Sequence, residues 1–402
     1  MNQHSNPKIR FKGYDNSLER KTIGDITTSF SGGTPKSSNK IYYEGNIPFI
    51  RSGEIKSKQT ELFISDHALK DSSAKMVEKG DILYALYGAT SGEVAISQIN
   101  GAINQAILAI KPNSGYSSEF IMNYLKKEKD NILEKYLQGG QGNLSAAIVK
   151  SIELSLPSRD EQSAIGSLFR TLDDLLASYK DNLANYQSLK ATMLSKMFPK
   201  TGQTVPEIRL DGFEDEWELL EINDLADDFQ SGGTPKTNVQ EYWDGDIPWI
   251  QSSDLETNCL FEIKVQKSIS EKGLKNSSAK IIPKDSIAVV TRVGVGKLAV
   301  MRHEYATSQD FLSLSNLKSN IEFTAYLLYR LLQKEVTQLQ GTSIKGITKV
   351  ELLSKKVLIP SLPEQQAIGA YFSNLDQLIT SYQEKITQLE TLKKKLLQDM
   401  FI

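Results

Sequence analysis

Residues 157–198 read PSRDEQSAIGSLFRTLDDLLASYKDNLANYQSLKATMLSKMF, and residues 360–401 read PSLPEQQAIGAYFSNLDQLITSYQEKITQLETLKKKLLQDMF. The second stretch follows the first at an offset of 203 residues without a gap. Each opens with Pro-Ser and then Glu-Gln, which marks a helix start: proline cannot continue an earlier element, and an acidic side chain in the first turn suits the helix dipole. In the first copy Ile165, Phe169, Leu172, Leu176, Tyr179, Leu183, Tyr186, Met193 and Met197 recur at spacings of four and three. Ile368, Phe372, Leu375, Ile379, Tyr382, Ile386, Leu389, Leu396 and Met400 repeat the pattern in the second. This is a heptad seam, and a helix of that length spans about 57 Å. Each seam has one polar break, Lys190 and Lys393. The plain reading is that both lysines extend their charge to solvent; the sharper one is that they fix the register of the pairing. The natural partner of each helix is the other copy.

The helices belong to a larger repeat. PKIRFKGY at 7–14 matches PEIRLDGF at 206–213, and SFSGGTPKSSNKIYYEGNIPFIRSGEI at 29–55 matches FQSGGTPKTNVQEYWDGDIPWIQSSDL at 229–255. GDILYALYGATSGEVAI at 80–96 resembles KDSIAVVTRVGVGKLAV at 284–300, and INQAILAIKP at 103–112 resembles TSQDFLSLSN at 307–316. The chain is therefore read as two tandem units, 7–199 and 206–402, joined by the turn PKTGQTVPEIRL. Each unit begins with short β-type runs broken by Gly, Ser and Asn. A helix is expected next, at 117–137 and 322–339, then a loop (GGQGNLS or GTSIKGIT), a short strand and the long helix. The expected boundaries are 1–156 for a first head, 157–199 for the first helical spacer, 200–359 for a second head and 360–402 for the second spacer. The expected fold class is α+β: two mixed heads related by a pseudo-twofold axis and joined by two long antiparallel coiled-coil helices.

Composition narrows the function. The 402 residues exceed one ordinary core, and a hydrophobic content of 39% with 24% charged residues fits a water-soluble protein. One cysteine, Cys259, offers no disulfide framework and points to a reducing compartment. The apolar runs are too short for a membrane span, and MNQHSNPKIR lacks the apolar core of a signal peptide, so a cytoplasmic setting is expected. The net charge of −2 conceals two mildly basic segments, 7–157 and 229–359, offset by the acidic stretch 211–228. That distribution permits polyanion binding without showing it. His4, His67 and His303 stand far apart without ligand-spaced partners, and no nucleophile elbow, H-E-x-x-H or Cys pair occurs. An Asn-Pro-Pro-Tyr-type motif for adenine methylation is absent too, as is a glycine-rich turn for a nucleotide cofactor. GVGK at 294–297 lacks the spacing and following hydroxyl of a phosphate loop. Acidic pairs such as Asp173 and Asp174 read as solvated helix faces.

Two local motifs remain as candidates. SGGTPK, at Ser31, Gly32, Gly33, Thr34 and Lys36 and again at Ser231, Gly232, Gly233, Thr234 and Lys236, offers two glycines for positive φ or close approach and a Thr and a Lys for an anion. It reads either as a nest for a DNA phosphate or as a plain tight loop. YGATSGEV at 87–94 against TRVGVGKL at 291–298 reads as a hairpin whose tip could enter a groove, with Tyr87, Ala89, Thr90 and Glu93 opposite Thr291, Val293, Gly294 and Lys297. Arg51 stands opposite Gln251, side chains suited to guanine and adenine edges. Heads alike in frame and unlike at polar tips suit the reading of two different short sequences; drift after duplication would give differences as well.

The pattern PxxxEQxAIGxxFxxLDxL, once after each of two heads carrying SGGTP and xIPxI, resembles the specificity subunit of type I restriction–modification enzymes, over nearly the whole chain. The resemblance implies two target-recognition domains on an antiparallel coiled coil, each reading one half of a bipartite, asymmetric site in double-stranded DNA. It implies a non-catalytic chain without a cofactor of its own. Two methyltransferase subunits would dock on the helices and methylate adenine N6 from S-adenosylmethionine, and two motor–nuclease subunits using ATP and Mg would join for restriction. By local chemistry, phosphate contacts are expected at Lys36, Lys236 and the glycine loops, and base contacts at Arg51, Gln251, Thr90 and Arg292, with Tyr87 and Lys297 as further DNA-contacting candidates. A protein-binding coiled-coil scaffold and a self-sufficient enzyme are the competing classes.

Overall fold

The structure, a computed structural model, describes residues 7–137, 143–338 and 346–402. His4 and most of the two loops expected before the last short strands lie outside the described residues. The chain divides into two compact units, Met1–Asp181 with Glu384–Ile402, and Asn182–Gln383. The expected helix at 117–137 is two helices, Ser118–Lys127 and Lys129–Leu137, whereas its counterpart runs unbroken from Ile321 to Gln338.

In the first unit a four-stranded antiparallel sheet has the order Thr27–Ser31, Ile107–Pro112, Ile82–Ala85, Val94–Ile96. A second has the order Leu62–Ile64, Ile47–Ile50, Gly101–Ile103, Lys75–Val77, with one parallel pair, Ile47–Ile50 beside Gly101–Ile103. The run Ile-Leu-Tyr-Ala at 82–85 is apolar throughout because both its faces are covered. Ile82 and Tyr84 enter a cluster with the helices, and Leu83 and Ala85 enter a second cluster with Ile50 and Ile103 of the other sheet. The second unit repeats this plan. Its central strand Ser286–Val290 sends Ile287 and Val289 to one cluster and Ala288 and Val290 to the other. Its second sheet keeps three strands, and the fourth is reduced to a single bridge, Ile282 to Tyr305. The heads are therefore mixed and mostly antiparallel, as an α+β fold requires.

The repeated segments form helices Arg159–Lys196 and Leu362–Asp399, each 38 residues long. Each unit contains the start of one and the end of the other. In the first unit Phe401 lies 5.9 Å from Phe169 and 5.0 Å from Phe120 between ring centroids. In the second Phe198 lies 6.1 Å from Phe372 and 5.5 Å from Phe323. The Met-Phe that closes each copy thus seals the core beside the start of the other copy. The segments run antiparallel in both units: Asp173 pairs with Lys393 and Lys180 with Glu390 in the first, and Tyr186 meets Tyr382 and Lys190 pairs with Asp376 in the second.

The plain reading of the seam lysines does not hold. Lys190 is buried and paired with Asp376, which also accepts from the Tyr326 hydroxyl at 2.7 Å. Lys393 makes the equivalent pair with Asp173, so Asp173 is not a freely solvated helix-face carboxylate either. Asp173 and Asp376 occupy the same position of the two copies, and the two pairs are one contact made reciprocally. Both lysine side chains are largely withdrawn from water, 11% and 13% exposed, and each meets a carboxylate of the other helix.

The Glu-Gln signature also does more than start a helix. Glu161 is 1% exposed and accepts two hydrogen bonds from Arg10, both 2.7 Å. Glu364, equally buried, accepts from Arg209 at 2.8 and 2.7 Å. Gln162 and Gln365 each donate to the carbonyl of the proline that opens their own copy, Pro157 and Pro360, at 3.0 and 2.9 Å. The Ile-Arg of each leading repeat is thereby tied to the N-terminus of the long helix in its own unit.

Candidate nucleic-acid interface

The SGGTPK segments leave the edge strands Thr27–Ser31 and Ala226–Ser231 and pass beside a tight turn of the second sheet. Gly33 N donates to Ile103 O at 3.1 Å, and Gly233 N donates to Thr307 O at 2.8 Å. None of the four glycines has a positive φ, so the expected conformational role is corrected to the other one, close approach. A Cβ at Gly32 would stand 1.9 Å from Ile103 O, and one at Gly232 would stand 1.9 Å from Thr307 Oγ1. That approach brings Thr34 Oγ1 within 2.5 Å of Gln105 Oε1, and Thr234 Oγ1 within 2.5 Å of Gln309 Oε1. Aromatic side chains strap the loop from behind: Tyr43 OH donates to Pro35 O at 2.8 Å, and Trp249 Nε1 donates to Gly233 O at 3.0 Å. Lys36 and Lys236 are exposed on the turn that follows, whereas Ser31 is half-buried and Ser231 exposed at the strand ends.

The hairpins form as expected, but in a different register. Ile82 pairs with Ile96 and Ile110, and its structural counterpart Ile287 pairs with Val300 and Leu314. Ser286 is an extra residue at the strand start, so Tyr87 corresponds to Arg292 rather than to Thr291. The first hairpin is closed by Ala85 N donating to Glu93 O at 2.8 Å, the second by Val290 N donating to Lys297 O at 3.0 Å. The first tip is therefore one residue longer. Glu93 and Lys297 do correspond, and both sit at the root. Glu93 pairs with Lys56 and Lys129, whose hydrogen bonds hold its carboxyl down at about 2. Lys297 Nζ donates to Ser252 O at 3.2 Å. Both reach the turn that follows Arg51 or Gln251, so Lys297 is a strut rather than a tip residue.

Arg51 and Gln251 occupy equivalent places, each closing a short turn through its own backbone N–H, to Glu54 at 3.0 Å and to Asp254 at 3.1 Å. Their side chains fold back on the same acids. Arg51 also reaches Glu61, and these carboxylates raise its pKa. Gln251 Nε2 donates to Asp254 Oδ1 at 3.4 Å. The structure thus ties down both expected base readers. Tyr87 packs its ring against the main apolar cluster, and Thr90 lies half-buried in the hairpin. At the second tip Arg292 is exposed and Val293 is 72% exposed.

In the second unit the start of the SGGTPK loop and the hairpin tip line one cleft of about 720 Å³. Ser231, Gly232, Arg292, Val293, Gln309 and Lys349 are among its lining residues. The sequence reading missed Gln309 and Lys349. Gln309 had a signal, its match to Gln105 in the aligned INQAIL and TSQDFL, but nothing in the sequence joins it to Thr234. Among the described residues no cluster of His, Cys, Asp and Glu could hold a metal ion, and no helix is long and apolar enough to cross a membrane.

Comparison with known proteins agrees with the doubled plan. The family model described as the type I restriction modification DNA specificity domain matches residues 16–185 and again 214–391. The MjaIX specificity subunit of Methanocaldococcus jannaschii is 29% identical over 194 residues, which is 46% of this chain and 44% of that relative. The putative MjaX specificity subunit of the same organism is 21% identical over 398 residues, 94% of this chain and 91% of that one. The crystal structure of the type I restriction–modification S subunit from M. genitalium shares the fold with a TM-score of 0.65 at 15% identity, covering 99% of both chains. With both repeats matched, this chain belongs to the type I restriction–modification DNA specificity family, the DNA-recognising and non-catalytic subunits of such systems.

Proposed function

We propose that each unit reads one half of a bipartite, asymmetric target in double-stranded DNA. The heads are the target-recognition domains, and the paired long helices set the unread spacer between the half-sites. One observation carries this: the frame is the same in both units and the tips are not. The SGGTP loop, its threonine–glutamine contact and the hairpin root recur, while the first unit has Tyr87, packed on its apolar cluster, at the position where the second has the exposed Arg292. A reader of two unlike sequences needs this division between positioning and base contacts. Phosphate contacts are assigned to Lys36, Lys236 and the glycine loops, and a guanine-type base contact to Arg292.

The chemistry is assigned to partners. Two adenine methyltransferase subunits that use S-adenosylmethionine dock on the helices, and two motor–nuclease subunits that use ATP and Mg join for restriction, all in the cytoplasm. The net charge of −2 fits a chain whose partners supply part of the phosphate contact. Methylome sequencing of the host with and without this gene tests the reading. The expected result is loss of one N6-methyladenine motif with two unlike halves. An unchanged methylome in a host with an active partner methyltransferase would refute it.

A further inference from the structure

Among the described residues, the same threonine–glutamine side-chain contact recurs in both heads, between a residue of the loop and one of a turn. Gln105 and Gln309 are exposed, each at the second position of a tight turn closed by Ile107 N to Asn104 O at 3.3 Å and by Phe311 N to Ser308 O at 3.4 Å. An exposed glutamine on a turn ordinarily samples many rotamers. Here a threonine delivered by a two-glycine approach donates to its Oε1 and fixes the carboxamide. Adenine recognition by glutamine uses the oxygen and the NH₂ together. The bond from threonine takes one lone pair of the oxygen and orients the carboxamide, so that the two Nε2 hydrogens are the donors without a partner inside the pair. Such donors suit the non-bridging oxygens of a phosphate. A group that is the same in two heads reading unlike half-sites also cannot carry the difference between them.

We infer that Thr34–Gln105 and Thr234–Gln309 are matched clasps for the DNA backbone. In each, the glutamine Nε2 donates to a phosphate oxygen and sets the height of the strand against the neighbouring hairpin tip. In the second unit Gln309 lines the cleft of about 720 Å³ that Arg292 also lines. The inference rests on the DNA-reading role proposed above and assigns the phosphate contacts to a neutral pair, beside the exposed lysines.

The test uses the full chain assembled with its methyltransferase subunits, with binding to the target duplex and to an unrelated duplex measured together with the methylated sequence. Gln309→Glu keeps an acceptor for Thr234 and turns the donor into a negative charge. It should weaken binding to both duplexes alike by about tenfold, with the methylated sequence unchanged, and Gln105→Glu should do the same. Gln309→Ala, which adds no charge, should cost about threefold to fivefold. The salt dependence of binding in Gln309→Ala should match the wild type, because no cation is lost. Two results would overturn the clasp: an altered methylated sequence in Gln309→Glu, which makes the residue a base reader, or wild-type binding to both duplexes in Gln309→Glu and Gln105→Glu. If the wild-type complex itself discriminated no sequence, the DNA-reading role would fail instead.

Discussion

In the first unit the hairpin between Ala85 and Glu93 exposes Gly88 and Ala89 and packs Tyr87 on the apolar cluster; in the second the hairpin between Val290 and Lys297 exposes Arg292 and Val293. The strands beneath are matched residue for residue, and the root residue in each reaches the same neighbouring turn. It does so with opposite charge, Glu93 gripping Lys56 and Lys129 while Lys297 donates to a carbonyl. The lesson is that the scaffold fixes where the hairpin stands but tolerates either sign of charge at its root, one residue more or less at its tip, and wholly different chemistry at its apex. The residues that hold the hairpin in place are separate from those its apex exposes.

That separation can be broken at three levels. The largest effect is expected at the helix starts. Arg10→Ala and Arg209→Ala each leave a buried carboxylate, Glu161 or Glu364, without its partner, and each should cost about 3–5 kcal/mol. Denaturant unfolding should show similar losses for the two, since the geometry is the same; a cost confined to one unit would mean that the repeats are not energetically alike. Next is the apex. Arg292→Ala should relax discrimination by about 1–3 kcal/mol at one base of one half-site and leave the other half untouched. Sequencing of the methylated motif reads this directly, and relaxation in both halves would contradict independent heads. The smallest effect is at the root. The Glu93 carboxyl is held at about 2, below its unfolded value, so the stabilisation it gives is present above about pH 4.3 and fades as pH falls toward 2. With partial exposure and screening it amounts to about 1 kcal/mol. The stability gap between wild type and Glu93→Gln should therefore shrink on going from pH 6 to pH 3. A gap that does not change over that range would remove the carboxylate from the account.

Much of the architecture was legible because it was written twice. The heptad spacing, the short apolar runs and the SGGTPK repeat each gained weight from a second copy, and the long helices and the hairpins stand where the periodicity put them. What stayed hidden depends on partners distant in sequence. Nothing near Glu161 announces Arg10, although both belong to repeated segments. Lys190 and Lys393 were visible as breaks in the seam, but solvent was the simpler destination until the antiparallel register placed Asp376 and Asp173 beside them. The hairpin register slipped because 81–86 and 285–290 are apolar enough to align equally well one residue apart; only the strand pairing separates the two alignments. For the candidate site, the sequence made the loop, the hairpin, Arg51 and Gln251 visible as separate motifs, but not that the Arg51 and Gln251 side chains turn back onto acids three residues ahead.

The reciprocal lysine–aspartate pairs couple the lengths of the two helices. Asp173 and Lys190 on one helix are separated by as many residues as Asp376 and Lys393 on the other, and each pair joins residues from both. Residues inserted between the pair positions of one helix alone would leave at least one pair out of step, with two charges stranded in a crowded seam. Insertions of equal length between the pair positions of both helices would keep both pairs in step, so the two copies are coupled in length.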